Sequence, residues 1–247
     1  MNTYKTAEVA AIIGIHPNTV RLYEKLKLIP KPERLSNGYR VFTEFHVKQC
    51  RLIRLAFQVE VLQNGLRKKI AQMIMVSATG DFDTAIAITE NYLEQVGRER
   101  RNAEEAIEIV EEILSGSVGG NSRHLKRKEV SELLAVSMDT LRNWEMNGLL
   151  TVKRKDNGYR VYTDEDIQRL KIIRSLRCAN YSLEAILRLL QQLSQDPDTD
   201  IRATLNTPKQ NGDIISVCDR LIVSLSAAEK NAVTILDMLR DMKVQFS

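Results

Sequence analysis

Two short phrases carry side chains able to read a polyanion. Thr19-Val20-Arg21-Leu22-Tyr23-Glu24 sets a guanidinium beside a hydroxyl and an aromatic, and Asn37-Gly38-Tyr39-Arg40-Val41 follows it. Both return, as Thr140-Leu141-Arg142-Asn143-Trp144-Glu145 and Asn157-Gly158-Tyr159-Arg160-Val161. An arginine can grip a guanine edge with two parallel hydrogen bonds or hold a phosphate. Arg21 and Arg142 are candidates for that role; the competing reading pairs them with Glu24 and Glu145 on the surface. His16, Asn18 and Thr19 flank the first arginine, where Ser137, Asp139 and Thr140 flank the second. His and Asn can donate to base edges, whereas Asp139 can only accept, for example from cytosine, or cap a helix. The two copies should therefore prefer different half-sites.

The elements that must hold these residues follow from breakers and periodicity. Thr6 to Ile13 reads as a helix with Val9, Ile12 and Ile13 on one face, and Gly14 suits the sharp turn after it. Pro17 opens a second helix, 17–26, where its missing N–H costs nothing; Val20, Tyr23 and Leu26 are spaced to pack inward. Ser36-Asn37-Gly38 is a strong hairpin signal, and Val41 and Phe42 give the returning strand. Helices are expected over 44–57, with Val47, Cys50, Ile53, Leu55 and Phe57 apolar, and over 62–76. A helix-turn-helix followed by a β wing is a DNA-reading layout. The second copy repeats it, with helices at Arg127 to Leu134, Asp139 to Met146, Asp164 to Arg177 and Ser182 to Leu193.

The duplication is precise enough to count. Lys5, Glu8, Val9, Thr19, Arg21, Glu24 and Leu28 recur 121 residues later. Asn37 to Val41, Thr43, Ile53 and Arg54 recur 120 residues later, so one residue was lost between helix and wing. Such losses fall in loops. A long helix over 82–114 follows the first copy, with Ile86, Thr89, Leu93, Val96, Arg100, Ala103, Ile107, Val110 and Leu114 in a 3-4 alternation. Arg100 is its discordant member and Gly97 a weak point. Residues 115–124, glycine-bearing, read as a flexible linker. A polar loop over 194–212 leads to a closing helix, 213–244, whose positions Ile214, Cys218, Leu221, Leu225, Ala228, Ala232, Ile235, Leu239 and Met242 alternate without interruption. A membrane-surface helix is the alternative for this stretch, but its polar face is poor in basic residues. The expected domains are thus 1–76, 82–114, 125–193 and 213–244, a mainly α fold of two winged helix-turn-helix domains and two long helices in an antiparallel coiled coil.

Composition agrees. Aromatics are 5% of the 247 residues, so Leu, Ile, Val and Ala must form the core. Residues 1–70 carry 13 Lys and Arg against 5 Asp and Glu, and 71–124 carry 4 against 10. Residues 125–191 carry 13 against 9, and 192–247 carry 6 against 8. Basic modules alternating with acidic connectors fit two polyanion-facing units. No apolar run approaches the ~20 residues that span a bilayer, and the N-terminus lacks a secretory segment, so a cytoplasmic, nucleoid-associated protein is expected. Cys50, Cys178 and Cys218 sit apart among apolar neighbours and are read as buried small hydrophobes rather than metal ligands. His16, His46 and His124 have no partner nucleophile at a telling spacing, so no enzyme and no cofactor are expected.

Thr-x-Arg-x-aromatic-Glu with Gly-Tyr-Arg-Val-aromatic-Thr closely resembles the MerR family of bacterial transcription regulators, and the resemblance covers the DNA-binding unit twice. It implies binding to promoter DNA whose elements lie too far apart, distortion of that DNA, and RNA polymerase as a further partner. It also implies phosphate contacts from Tyr23 and Trp144, for which packing under the wing is the alternative, and backbone contacts from the wing residues Tyr39, Arg40, Tyr159 and Arg160. Lys5, Lys31, Arg34, Asn37, Lys126, Asn143, Lys153, Arg154, Lys155 and Asn157 complete the candidate DNA surface. Family members usually carry one unit per chain and dimerise through antiparallel long helices. This chain carries two units, and a nine-residue tether, 115–123, reaches ~30 Å. A single-chain pseudo-dimer is therefore expected over a homodimer of tandem chains. Alternative functions are an architectural or recombination-accessory DNA protein and a sensor for an unidentified small-molecule effector.

Overall fold

A computed structural model of the chain describes residues 2–58, 65–116, 124–153, 160–207 and 220–246. They divide into two units. The first comprises the residues up to Arg98 together with those from Ser224 onward, and the second runs from Glu99 to Val223.

In the first unit, strand β1 (Thr3–Tyr4) leads into α1 (Thr6–Ile13) and α2 (Pro17–Lys25). The Glu8 carboxylate accepts from the Lys5 N–H at 2.7 Å and starts α1. Gly14, at φ 70°, ends it. His16 then caps α2, its Nδ1 accepting from the Asn18 N–H at 3.2 Å, with Pro17 in the first turn. Strands β2 (Glu33–Arg34) and β3 (Arg40–Thr43) complete an antiparallel sheet ordered β1-β3-β2, with Tyr4 opposite Phe42 and Arg34 opposite Arg40. Helices α3 (Glu44–Ala56) and α4 (Leu66–Ser77) close the unit's core around Val9, Val20, Phe42, Cys50 and Ile53, all fully buried. The Gln49 amide inside that core donates to the carbonyls of Leu28 at 3.0 Å and Ile74 at 2.9 Å, fixing the chain that leaves α2 against α4.

The second unit repeats the plan with α6 (Arg127–Leu134), α7 (Met138–Met146), α8 (Asp164–Cys178) and α9 (Leu183–Leu193). Leu125 bridges Tyr162, the residues matching Tyr4 and Phe42. Arg169 takes the place of Gln49, and its Nε donates to the Leu149 carbonyl at 2.7 Å. Four expectations are corrected. Ile12 and Leu26 point to solvent, at 43% and 51% exposure, because Ala10 takes the inner face of α1 and α2 ends at Lys25. Cys178 is exposed at the end of α8, unlike buried Cys50; Cys218 lies outside the described residues. The expected polar loop over 194–212 contains α10 (Ile201–Asn206), whose Ile201 and Leu205 are buried and whose N-terminus is capped by Asp200, which accepts from the Ala203 N–H at 2.8 Å.

Helix α5 (Phe82–Ser115) runs unbroken through Gly97. Phe82, Ala85, Thr89, Tyr92 and Val96 are buried in its first-unit part, and Ala103, Ala106, Ile107 and Val110 in its second-unit part. That stripe is wider than a two-position seam, and Leu114 falls off it, 39% exposed. Arg100 stays half-buried by pairing with Glu104 at 3.1 Å. Helix α11 (Leu221–Phe246) buries Leu221, Leu225, Ala228, Ala232, Ile235, Leu239 and Met242. The start expected near Asp213, with Ile214, lies outside the described residues, as does most of the 115–124 linker. Among the described residues no helix is long and apolar enough to cross a membrane.

Within the first unit α11 runs antiparallel to α5: Arg240 meets Glu90 at 3.6 Å and Lys243 meets Asp83. Phe246 then stacks on Phe45 of α3 at 5.1 Å, and Lys48 bonds Gln245. Within the second unit the end of α5 lies on α8, with Gln168 Nε2 donating to the Ile113 carbonyl at 2.6 Å. Gln168 is the counterpart of Lys48.

The copies differ at two left-handed positions. Gly14 corresponds to Ala135 at φ 49°, and Lys27 at φ 58° corresponds to Gly148 at φ 75°. A Cβ in this region costs roughly 1 kcal/mol, partly offset because alanine restricts the unfolded chain. Ala135→Gly should therefore raise the denaturation midpoint reported by Trp144 fluorescence, a gain of about 0.5 kcal/mol. Gly14→Ala should lower the midpoint followed by helical circular dichroism, by about 0.5 kcal/mol.

Candidate nucleic-acid interface

Helix α2 presents His16, Asn18 and Arg21 to solvent, with Thr19 half-buried. Arg21 is not paired with Glu24: its Nη1 donates to Asn18 Oδ1 at 2.8 Å, one turn back. Glu24 faces the wing instead. Its side chain, 15% exposed, takes Arg40 Nε at 2.6 Å and Arg34 Nη2 at 3.7 Å. The wing tip is set by Asn37, whose Oδ1 accepts from the Tyr39 N–H at 3.1 Å, and by Gly38 at φ 84°. That leaves the Tyr39 ring 69% exposed. Lys5 is exposed beside the first turn of α1.

Helix α7 has the same plan with other chemistry. Ser137 is the cap, its Oγ accepting from the Thr140 N–H at 3.0 Å, so Asp139 lies inside the first turn rather than capping it. Asp139, Arg142 and Asn143 are exposed, as is Lys126 before α6. Glu145, like Glu24, faces inward and takes Arg160 Nε at 2.7 Å and Arg127 Nη2 at 3.3 Å. Trp144 is 5% exposed and forms part of its unit's core, while its counterpart Tyr23 is half-buried. Burial, and then the nearby Cys50, push the Tyr23 hydroxyl above its usual range against the pull of Arg54. Arg154, Lys155, Asn157 and Tyr159 lie outside the described residues; the Lys153 carbonyl accepts from the Val161 N–H at 3.1 Å.

In each unit, then, a short helix carries an exposed arginine and a differing set of small polar groups, braced by a carboxylate to an arginine further along the chain, Arg40 of β3 or Arg160. Residues 125–193 match the model of the MerR HTH family regulatory protein, and residues 5–42 that of the MerR family regulatory protein. Both copies thus carry a DNA-binding unit of the MerR family. It is similar to the HTH-type transcriptional regulator ZntR of Escherichia coli, 38% identical over 71 residues, 28% of this chain and 50% of that protein. The mercuric resistance operon regulatory protein of Bacillus cereus is 37% identical over 65 residues, 26% of this chain and 49% of that one. The nodulation protein NolA of Bradyrhizobium is 30% identical over 119 residues, 41% of this chain and 50% of that one. The chain thus spans about half the length of the curated relatives it matches. No solved structure matches it significantly. Among the described residues no group of His, Cys, Asp and Glu could hold a metal ion.

Several residues of the first MerR unit escaped the sequence reading. Lys25 and Lys27 line a cleft of about 870 Å³ with Arg21, Lys31 and Arg40, whereas the second unit has Met146, Gly148 and Val152 at the three lysine positions. Only the 121-residue register, extended through the loop after α2, singles them out. Arg54 donates to the Gly14 carbonyl at 2.9 Å and fixes the turn that aims α2.

His46 supports the wing from beneath. It is 6% exposed, its Nδ1 accepts from the Thr43 N–H at 3.0 Å, and its ring stands edge-on to Phe42. Burial lowers its pKa, opposed by the Pro30 carbonyl. The folded protein therefore binds this proton less readily than the unfolded chain, and stability should fall as pH drops below about 6.5, the unfolded value. His46→Gln, which keeps an acceptor for Thr43, should flatten that loss in denaturation titrations between pH 7 and 5. Glu24→Gln and Glu145→Gln each remove a charge from a partly buried ion pair and should cost about 1–2 kcal/mol of unfolding free energy.

Proposed function

We propose that the chain is a transcription regulator of the MerR type that reads a two-part promoter site as a single polypeptide. The observation that carries this reading is the make-up of the two units. Each takes in the far part of a long helix: α11, which follows the second copy, ends on α3 of the first unit, and α5, which follows the first copy, ends on α8 of the second. The two docking positions, Lys48 and Gln168, are equivalent in the repeat. In a family whose long helices pair antiparallel between subunits, this is what covalent fusion of the two halves would produce.

Arg21 and Arg142 then face the major groove from the second helix of each motif, with His16, Asn18 and Thr19 or Ser137, Asp139, Thr140 and Asn143 beside them. Tyr39, Lys5, Lys126 and Arg34, with Lys155, Asn157 and Tyr159, meet the backbone. Arg40 and Arg160, held by Glu24 and Glu145, act chiefly by positioning the wings. Distortion of the bound duplex, with RNA polymerase reading the result, is the mode of regulation this family membership favours. An acceptor-bearing second helix and a donor-bearing first one support an asymmetric operator.

Selection from a random duplex pool should enrich an imperfect palindrome, and sedimentation should find a monomeric protein that binds it in a 1:1 complex. Affinity should fall steeply with salt, since several phosphate contacts release counterions. A protein that remains an obligate dimer at nanomolar concentration, or a perfectly symmetric site, would overturn the single-chain reading.

A further inference from the structure

We infer that Leu22 reads the C5-methyl group of thymine and, set against Asn143, divides base preference between the two MerR units. The inference rests on the assignment of α2 and α7 as the groove-facing helices. On α2, Asn18, Arg21, Leu22 and Lys25 are exposed together, and Leu22 keeps 48% of its surface in water. Leu26, one turn on, keeps 51%. The matching residues of α7 are Asn143 and Asn147, also exposed, with Asn147 Nδ2 donating to the Asn143 carbonyl at 2.8 Å and its Oδ1 at 3.3 Å. The two helices therefore present opposite chemistry at the same two places.

A leucine side chain has no donor and no acceptor, so it cannot distinguish bases by hydrogen bonds. The major-groove edges of the four base pairs offer one apolar group, the thymine methyl, and contact with it is the reading open to an aliphatic residue there. An asparagine at the equivalent place can bond the N6 and N7 of adenine bidentately. Isolated exposed leucines are ordinary on protein surfaces. Leu22 is distinguished by its setting between Arg21 and Lys25, cations that a phosphate backbone would draw close. Docking onto a nucleic acid would cover this leucine without burying a charge against an apolar partner.

The test uses the full chain and the duplexes it enriches from a random pool. Each thymine is replaced in turn by deoxyuridine, which deletes only the methyl group. Binding should weaken about fourfold at one or two thymines, all in one half-site, the loss expected for exposing a buried methyl. Leu22→Ala should bind the thymine and deoxyuridine duplexes equally. Leu22→Asn, a surface exchange for the residue the other copy carries, should shift preference at that position toward adenine and leave the other half-site unchanged. If a duplex is enriched but deoxyuridine has no effect, or the effect survives in Leu22→Ala, the role of Leu22 is overturned and the proposed function stands. If no duplex is enriched, both are overturned.

Discussion

A carboxylate on the last turn of α2 and of α7, turned away from solvent toward a following arginine, is the interaction on which each candidate DNA surface depends. Glu24 holds Arg40 at 2.6 Å and Glu145 holds Arg160 at 2.7 Å. The side chains are 15% to 26% exposed, sheltered enough for charge-assisted hydrogen bonds to be directional and wet enough to avoid the full cost of burying ions. The brace adds to the packing of Phe42 and Val20 in the shared core and fixes the Arg40 end of β3 against the nine-residue helix. The pair also explains why the two sequence phrases travel together through the duplication. The second arginine on each carboxylate differs: Arg34 comes from the wing of the first unit, and Arg127 from α6 of the second. One reader is thus braced within its wing, and the other across to its first helix.

Much of this was open to inspection in the chain itself, and the reasons are specific. Glycine and proline bound α1 and α2, threonines start α3 and α8, and the repeat lets each copy check the other. Asn18, Arg21, Asp139, Arg142 and Asn143 emerge on the exposed sides of α2 and α7, as helix period alone requires, whereas Trp144 is buried and Tyr23 half-buried. What escaped depends on non-local packing. Periodicity placed Ile12 and Leu26 inward, yet tertiary neighbours decide which edge of an apolar stripe is covered, and Ala10 and Leu28 took those places. Helix α10 was missed because its six residues are too few to show a period. The inward turn of Arg40 and Arg160 was missed because a guanidinium on a wing reads as surface charge until its partner carboxylate is located. Cys178 illustrates the same limit: its neighbours in sequence are apolar, but its own position on α8 is not covered.

The exchange of glycine between the two left-handed positions shows how the copies diverged. Gly14 stands opposite Ala135 in one turn, and Lys27 opposite Gly148 in the other, so at these two places each unit tolerates one strained residue. A Cβ built at Gly14 or Gly148 meets no atom within 4 Å, so sterics with neighbours do not forbid the exchange, and the cost is confined to the backbone. At Lys27 the cost accompanies an added cation in a cleft that already holds Arg21, Lys25 and Lys31. The second unit has no lysine at any of the three matching places. The first unit is therefore the more cationic grip, and backbone strain is tolerated where the charge is gained.

Fusion of two readers changes what selection can do with them. A symmetric dimer must present the same surface twice, so any substitution in its recognition helix alters both half-sites together. Two copies on one chain, acting as the proposed pair, would be released from that constraint while their covalent linkage raised effective concentration, so neither would need great affinity alone. Thr19 with Thr140, Arg21 with Arg142 and Glu24 with Glu145 are identical, and the last pair supplies the brace to Arg40 and Arg160. Positions that would meet base edges differ in kind: His16 against Ser137, Asn18 against Asp139, Leu22 against Asn143. Buried and half-buried places differ as well, but only in size, Val20 against Leu141 and Tyr23 against Trp144, whereas the outward places exchange an apolar for a polar group or an amide for a carboxylate. A change of kind on the outward face, with the brace kept, is what two readers of one unequal site would require.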